Sequence, residues 1–368
     1  MKIAQVSPLF EAVPPKLYGG TERVVYYLTE ELVREGHDVT LFASADSITS
    51  ATLIATVDKA LRLNPDCEDQ LAPHIAQLQD VMNMADQFDI IHYHTGYLHF
   101  PFSQTCPTPD ITTLHGKLSV PELQYIYQRF HQPVVSISNQ QREVLPYANF
   151  VGTVYHGLPV DLHPMGNGNG NYLAFLGRIS PEKGIDKAIE WAKAAGITLK
   201  IAAKVDKADE HYFEKEIKHL LDDPLIEFVG EINETEKSDF LGNARALLFP
   251  INWDEPFGMV MIEAMACGTP VIAHGRGSVK EVIEHGKNGF IVSSTEEAVS
   301  CIRQLSPLQR KVVRQVFEER FTAGKMAKAY LQLYDKLCSQ KKLRVEHKAM
   351  DHVSITKLNR LRQANGNG

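Results

Sequence analysis

The chain of 368 residues is organised around one stretch, Trp253-Asp254-Glu255-Pro256-Phe257-Gly258-Met259-Val260-Met261-Ile262-Glu263-Ala264-Met265-Ala266-Cys267-Gly268-Thr269-Pro270. Its apolar run lacks period-two alternation and lies between Pro256 and Gly268, which predicts a short buried helix. The apolar residues that follow from Pro270 predict a buried strand. Glu263 does not fit a plain core helix, because its neighbours are apolar and a buried carboxylate needs a partner.

Two kinds of partner are open for Glu263, a protein cation or the hydroxyl groups of a ligand, and the spacing favours the ligand. If the helix begins near Gly258, Glu263 lies about 7 Å along the axis at about 1.5 Å per residue. The free amides at a helix start bind anions, so a diphosphate at the tip and a ribose at Glu263 would span this distance. Glu255 would then face the group beyond the phosphates. In the alternative, both glutamates are ion-paired parts of the scaffold.

Length and composition indicate an ordinary globular protein of two domains. Apolar residues make up 44% and charged residues 23% of the chain, and the net charge of -7 argues against binding of nucleic acid or anionic lipid by the body of the protein. The five cysteines are scattered without a Cys-x-x-Cys pair, which predicts neither disulfides nor a zinc site. Because no apolar run approaches 18 residues and the chain starts in a strand pattern, we expect a cytoplasmic protein.

The first half opens with a strand, a helix and a strand. Lys2–Ser7 and Asp38–Ala43 are the predicted strands, and the helix between them has apolar residues every fourth position from Val24, with Thr21 as its N-cap. This β-α-β crossover predicts the start of a Rossmann-like sheet. The segment 49–87 is predicted to be helical with a break.

The loop from Pro8 to Thr21 contains the pair Gly19 and Gly20 at the turn where open α/β sheets bind ligands. The nicotinamide-dinucleotide pattern Gly-x-Gly-x-x-Gly is absent, and the loop is too long for a tight pyrophosphate turn. A long loop with prolines and glycines is instead expected to lie over a cleft between domains.

Three further short strands, 89–96, 110–116 and 134–140, each end in polar residues, which brings those residues to one edge of a parallel sheet. The histidines at positions 92, 94, 99 and 115 lack the spacing of a metal site. His92 is interpreted as structural. His115, followed by glycine at a strand end, is the better candidate for an active site.

The second half restarts the pattern after the Asn-Gly-rich segment 163–171, which has the composition of a linker. A strand at 172–176 leads into a glycine-bounded turn with Arg178 and Lys183, two cations placed to bind phosphates, and then into a helix from Ile185 to Ala195. A solvated charged turn is the alternative. Further strands are predicted at 198–203, 226–230, 246–250, 270–273 and 289–292, and the Glu231-Ile232 turn at one strand end could border a nucleotide base.

Four motifs together carry a resemblance to a known family. They are Gly19-Gly20-Thr21-Glu22, Thr113-Leu114-His115-Gly116, Gly177-Arg178 with Lys183-Gly184, and Glu255-Pro256-Phe257-Gly258 running to Glu263 and on to Val271. In register from about Lys2 to Cys338, the sequence resembles the retaining glycosyltransferases of family 4, which have the GT-B fold. The two glutamates separated by seven residues are specific when found together with the Arg and Lys turn.

The resemblance implies an α/β protein with two Rossmann-like, doubly wound parallel-sheet domains that face a cleft. Residues 1–162 would form the acceptor domain and 163–320 the nucleotide-sugar donor domain. Residues 321–340 would form a terminal helix that crosses back to the first domain. Residues 341–368, locally basic with seven Lys or Arg, are predicted to be a loosely ordered tail, with contact to the inner membrane face as the alternative.

The family also implies roles for particular residues. His115, Arg178, Lys183 and Glu255 would be catalytic, with the two cations neutralising the departing diphosphate and Glu255 holding a hydroxyl of the donor sugar. The residues expected to bind the donor are Gly19, Gly20, Arg178, Lys183, Glu231, Ile232, Glu255, Phe257, Gly258, Met259, Val260 and Glu263, the last through the ribose. Neither a metal nor a cofactor is expected, in agreement with the absence of an Asp-x-Asp motif.

The predicted activity is therefore transfer of a hexose from a nucleoside-diphosphate sugar to a hydroxyl acceptor, with UDP-glucose as the default donor. Retention in this family is usually described as front-face attack in which the leaving phosphate takes the acceptor's proton, so no protein nucleophile is predicted. A sugar-nucleotide epimerase and a non-catalytic nucleotide-sugar-binding protein are the alternatives. The sequence assigns neither the acceptor nor an oligomeric state.

Overall fold

The computed structural model describes residues 1–16, 19–62, 64–305 and 308–341. Within these residues the chain forms two parallel sheets, one of seven strands in the order β3-β2-β1-β4-β5-β6-β7 and one of six in the order β10-β9-β8-β11-β12-β13. Helices form most of the crossover connections between the parallel strands. The predicted α/β architecture of two Rossmann-like units is confirmed, whereas the domain boundaries given above stay predictions.

The carboxyl ends of strands in the first sheet reach the cleft between the two sheets. Its strands are β1 Lys2–Val6, β2 Asp38–Ala43, β3 Thr52–Ala55, β4 Ile90–Tyr93, β5 Asp110–Leu114, β6 Val134–Ser136 and β7 Phe150–Thr153. Its helices are α1 Gly20–Arg34, α2 Leu71–Asn83, α3 Phe100–Ser103, α4 Leu123–Tyr127 and α5 Asn139–Glu143. β1 lies inside the sheet between β2 and β4, and α1 starts from the loop that follows it.

The second sheet is built in the same way. Its strands are β8 Tyr172–Arg178, β9 Thr198–Lys204, β10 Ile226–Gly230, β11 Ala246–Phe249, β12 Val271–His274 and β13 Gly289–Val292. Its helices are α6 Ile185–Ala195, α7 Glu210–Tyr212, α8 Glu234–Asn243, α9 Met259–Ala266, α10 Val279–Val282, α11 Thr295–Arg303 and α12 Arg310–Arg320. The helix predicted over 185–195 and the strands predicted over 226–230 and 289–292 agree residue for residue.

Two local predictions were wrong. Segment 49–87 is not helical throughout, because Thr52–Ala55 pairs with β2 as an edge strand before α2 begins at Leu71. A four-residue strand is too short to show a period. Thr21 is not the N-cap of α1, since the helix already includes Gly20 and Gly19 takes the cap position.

A final helix returns to the first domain. Residues 323–341 are helical (α13), and the hydroxyl groups of Tyr330 and Tyr334 on this helix bond Thr113 at 2.7 Å and His92 at 2.7 Å. The predicted tail falls almost entirely on 342–368, outside the described residues. Across the described residues, no helix combines the length and the hydropathy that a membrane span requires.

Candidate active site

A cavity of about 740 Å³ lies between the two sheets and is lined from both sides. All the residues that the sequence analysis assigned to the site line it, namely Gly19, Gly20, His115, Arg178, Lys183, Glu231, Ile232, Glu255, Phe257, Gly258, Met259, Val260 and Glu263. They come from the carboxyl ends of strands in both sheets and from the loops and helices that follow, where open α/β folds bind ligands. This geometry shows that these residues meet in one cleft. It does not test the role assigned to each of them.

The loop before α9 presents a buried carboxylate. Glu255 is 8% exposed, and its Oε2 accepts hydrogen bonds from Nζ of Lys183 at 2.6 Å and from Nε1 of Trp253 at 2.9 Å. The ammonium group also lies 5.2 Å from the centre of the Trp253 ring. A charged contact therefore joins the turn after β8 to the loop before α9. A ligand that binds Lys183 would compete with Glu255 for it.

The start of α9 is set by Gly258. Its φ is 79°, a left-handed conformation that glycine adopts readily. A Cβ at this position would lie 2.8 Å from Cε of Met261 and 3.1 Å from Cζ of Phe249. Gly258 thus allows the chain to turn sharply into α9, with Met259 and Val260 of the first turn lining the cavity.

Glu263 has a protein partner, as in the alternative of an ion-paired scaffold, whereas its contact with a ligand stays a prediction. It is 5% exposed, and its Oε1 accepts a hydrogen bond from Nζ of Lys237 on α8 at 2.9 Å. Burial disfavours the charge on Lys237, but the carboxylates of Glu263 and Glu234 outweigh burial and raise the pKa of this lysine. The anomaly of a buried acid is therefore resolved by an ion pair, and a ligand would have to bind beside it.

The same ion pair belongs to a network that crosses between the domains. Glu234 contacts Lys237 at 3.2 Å and Arg23 of α1 at 2.8 Å through the same carboxylate oxygen. His163, Glu234 and Glu263 each place a potential metal-ligand atom within 4.8 Å of the others. Since Lys237 contacts both carboxylates, protein cations already balance this cluster. The prediction that no metal is needed stays a prediction.

Arg178 is held by acidic side chains. Its guanidinium group contacts Glu182, lies 3.6 Å from a carboxylate oxygen of Asp206 and lies 3.4 Å from one of Asp209. The side chain is 32% exposed, so it remains accessible from the cavity. Both predicted phosphate-binding cations are therefore paired with carboxylates.

His115 lies on the first domain's side of the cavity. Its Nε2 is 2.8 Å from Nδ1 of His94, and its ring stacks on that of His156 with centroids 5.2 Å apart. Burial lowers the pKa of His115 to about 3, so the imidazole is neutral. The interpretation of His92 as structural is supported, because it is fully buried between Tyr334 and Thr113.

The comparisons with known proteins agree with this arrangement. The family profile described as "Glycosyltransferase Family 4" matches residues 18–154, and that described as "Glycosyl transferases group 1" matches residues 166–316. The chain belongs to glycosyltransferase family 4. An uncharacterized glycosyltransferase of Methanocaldococcus jannaschii is 25% identical over 338 residues, which cover 79% of this chain and 85% of the relative.

Solved structures show that this family 4 chain has the GT-B fold. Sucrose-phosphate synthase from Thermosynechococcus elongatus superposes with a TM-score of 0.76 at 19% identity, covering 92% of this chain and all of that one. The Anabaena protein HepE, solved in complex with UDP-glucose, superposes with a TM-score of 0.70 at 18% identity over 92% of this chain and all of its own. At these sequence identities the structural similarity shows a shared fold and nothing beyond it.

The sequence analysis of this glycosyltransferase missed several charged residues of the cleft, among them Lys237 and Glu22. Lys237 is 26 positions from Glu263, so only the packing of α8 on α9 could reveal the pair. Glu22 was quoted in a motif without a role, yet it is 4% exposed, lines the cavity, and has a pKa that burial raises to about 7. An acidic residue two positions into a helix is usually a dipole partner, so no local pattern indicated that Glu22 is buried.

Proposed function

We propose that the protein transfers a hexose from a nucleoside-diphosphate sugar to a hydroxyl acceptor with retention of anomeric configuration, and that UDP-glucose is the first donor to test. The observation that carries this proposal is the meeting of Arg178, Lys183, Glu255 and Glu263 around the start of α9 in one cleft. Two cations and a helix start match a diphosphate. Two buried carboxylates match sugar hydroxyls.

Donor binding in this proposal is an exchange of partners. Lys183 turns from Glu255 and Arg178 turns from its acidic partners toward the diphosphate. The oxygen of Glu255 that Lys183 leaves then accepts a hydroxyl hydrogen of the sugar. Charge on the departing diphosphate is then neutralised by groups that are already in place, which favours bond cleavage. The ribose binds Glu263 on the side away from Lys237.

The first domain supplies the acceptor side. Phe10 and Tyr97 line the cavity there, and both keep more than a third of their surface exposed. Aromatic faces of this kind fit the apolar faces of a sugar ring. The acceptor hydroxyl attacks from this side, and the leaving phosphate takes its proton.

A thermal-shift panel of nucleoside diphosphates and their sugars tests the donor assignment. A true donor at about 100 times its dissociation constant adds roughly 2.7 kcal/mol to stability. Transfer is then measured with simple glycoside acceptors, and the anomeric proton coupling of the product reports retention. Epimerisation of the donor without any acceptor would favour a sugar-nucleotide epimerase instead. Tight donor binding without turnover under any acceptor would favour a non-catalytic nucleotide-sugar-binding protein.

A further inference from the structure

A buried chain of hydrogen bonds connects the returning helix α13 to His115 in the cleft. Tyr334 bonds Gln5 of β1 at 3.2 Å, Gln5 bonds His94 at 2.8 Å, and His94 bonds His115 at 2.8 Å. Tyr334 and Gln5 are 0% exposed and His94 is 4% exposed. The chain therefore lies in the interior of the first domain and ends at the cavity wall.

The direction of each bond follows from the distances at Tyr334. Its oxygen is 2.7 Å from Nδ1 of His92, the spacing expected when a hydroxyl donates, and 3.2 Å from the Gln5 amide, which is long for a donated O–H bond. Tyr334 has one hydrogen, which it gives to His92. Its oxygen then accepts from Nε2 of Gln5, and the amide oxygen of Gln5 faces His94.

This orientation of Gln5 determines the tautomers of the two histidines that follow. An amide oxygen only accepts, so Nε2 of His94 carries a hydrogen. Burial lowers the pKa of His94 well below its ordinary value, so the ring is neutral and its Nδ1 accepts. Nε2 of His115 must therefore be the donor at 2.8 Å, and Nδ1 of His115 is left without a hydrogen.

The bare nitrogen of His115 is buried and has no hydrogen-bond partner among the described residues. We propose that Tyr334 is a positioning residue that acts through Gln5 and His94 to hold His115 in the Nε2-protonated tautomer, so that His115 offers a ligand only a hydrogen-bond acceptor. The group that meets it is then a donor, such as a sugar hydroxyl, and not a phosphate oxygen. This identification of the ligand group rests on the proposed function, whereas the tautomer does not.

The tautomer is measured directly by long-range proton–nitrogen NMR of the full chain labelled with nitrogen-15 histidine. The signals of His115 are assigned by their loss in His115→Asn. In the wild type we expect a protonated Nε2 and a bare Nδ1 that do not titrate between pH 5 and 8. In Tyr334→Phe, Gln5 loses its acceptor and can turn over, so both nitrogens of His115 should shift toward the values of mixed tautomers.

Tyr330→Phe is the matched control. Tyr330 lies one turn earlier on α13, is equally buried, and bonds Thr113, which is linked to Tyr334 through His92 and not to Gln5. In this variant Gln5 keeps the oxygen of Tyr334 as its acceptor. It should leave the His115 signals unchanged. If Tyr334→Phe does not fold, Gln5→Met breaks the same link and should give the same mixture.

Two results would overturn the proposal. One is a wild-type His115 with its hydrogen on Nδ1, and the other is an unchanged tautomer in both Tyr334→Phe and Gln5→Met. Because the NMR measurement needs no substrate, its outcome is separate from that of the transferase proposal. If transfer is also observed, Tyr334→Phe should lower kcat/KM by about tenfold, the effect of losing one hydrogen bond to a ligand, while Tyr330→Phe should not.

Discussion

Lys237 and Glu263 form an ion pair on the second domain's side of the cleft, with Nζ of the lysine 2.9 Å from Oε1 of the glutamate. The pair joins α8 to α9, and both side chains are largely buried, at 16% and 6% exposure. It gives Glu263 a structural task in addition to the ribose contact that the family resemblance implies. Separating the two tasks requires substitutions on both sides of the pair.

We expect Lys237→Met to lower the free energy of unfolding by roughly 3 kcal/mol, because it leaves the carboxylate of Glu263 buried without its cation. The measurement is urea unfolding of the unliganded protein. Adding Glu263→Gln to the same chain removes the unpaired charge and should restore most of the stability. A single variant as stable as the wild type, or a double variant no more stable than the single one, would show that the pair contributes little.

Lys183→Ala should reduce kcat/KM for transfer by more than about tenfold, because charged hydrogen bonds contribute about 1.5–3 kcal/mol. Steady-state kinetics with the donor found in the thermal-shift panel provides the measurement. Lys187→Ala is the control, since Lys187 is 48% exposed and pairs with Glu190 outside the cavity. Equal kinetics in the two variants would remove Lys183 from the donor site.

How much of the site could be predicted depends on whether its contacts are local in sequence. The start of α9 at Gly258, the turn with Arg178 and Lys183, and the helix Ile185–Ala195 all follow from residues within a few positions of each other. The partners of the charged groups do not. Lys183 meets Glu255 across 72 positions, and Gln5 meets Tyr334 across 329.

The protein partner of Glu263 was missed for the same reason. An apolar helix with one acid predicts that the acid needs a partner, but the partner is supplied by a different helix, and α8 has no strong apolar face that would show its orientation. Strand β3 was missed because four residues cannot establish a period. Local patterns therefore predicted the elements, while packing decided the pairing of charges.

Glu22 should make stability fall as the pH rises. Its pKa is raised from 4.5 to about 7, chiefly by burial and with Glu11 nearby adding to it, against the lowering effect of Arg62 and backbone hydrogen bonds. The folded protein thus holds a proton that the unfolded chain releases, so stability from this group is complete below pH 4.5 and is lost as pH rises through 7.

Glu22→Gln removes this dependence. At pH 8 the variant should be more stable than the wild type by about 3 kcal/mol, and near pH 4 the two should be similar. Urea unfolding of both proteins at both pH values gives the difference in their free energy of unfolding. The contributions of the other titrating groups cancel in this difference. A constant difference at the two pH values would mean that the carboxyl of Glu22 ionises in the folded state as it does in the unfolded chain.

Gly258→Ala tests the turn into α9 against a matched glycine. Gly258 and Gly286 have φ values of 79° and 81°, but a Cβ on Gly258 would meet Met261 and Phe249, whereas nothing lies within 4 Å of one on Gly286. Each alanine should cost about 1–2 kcal/mol from the left-handed backbone. Only Gly258→Ala should also weaken donor binding, because displacing Met261 tilts the first turn of α9 away from the ligand. Calorimetric titration with the donor measures this, and equal affinities in the two variants would show that the start of α9 does not bind it.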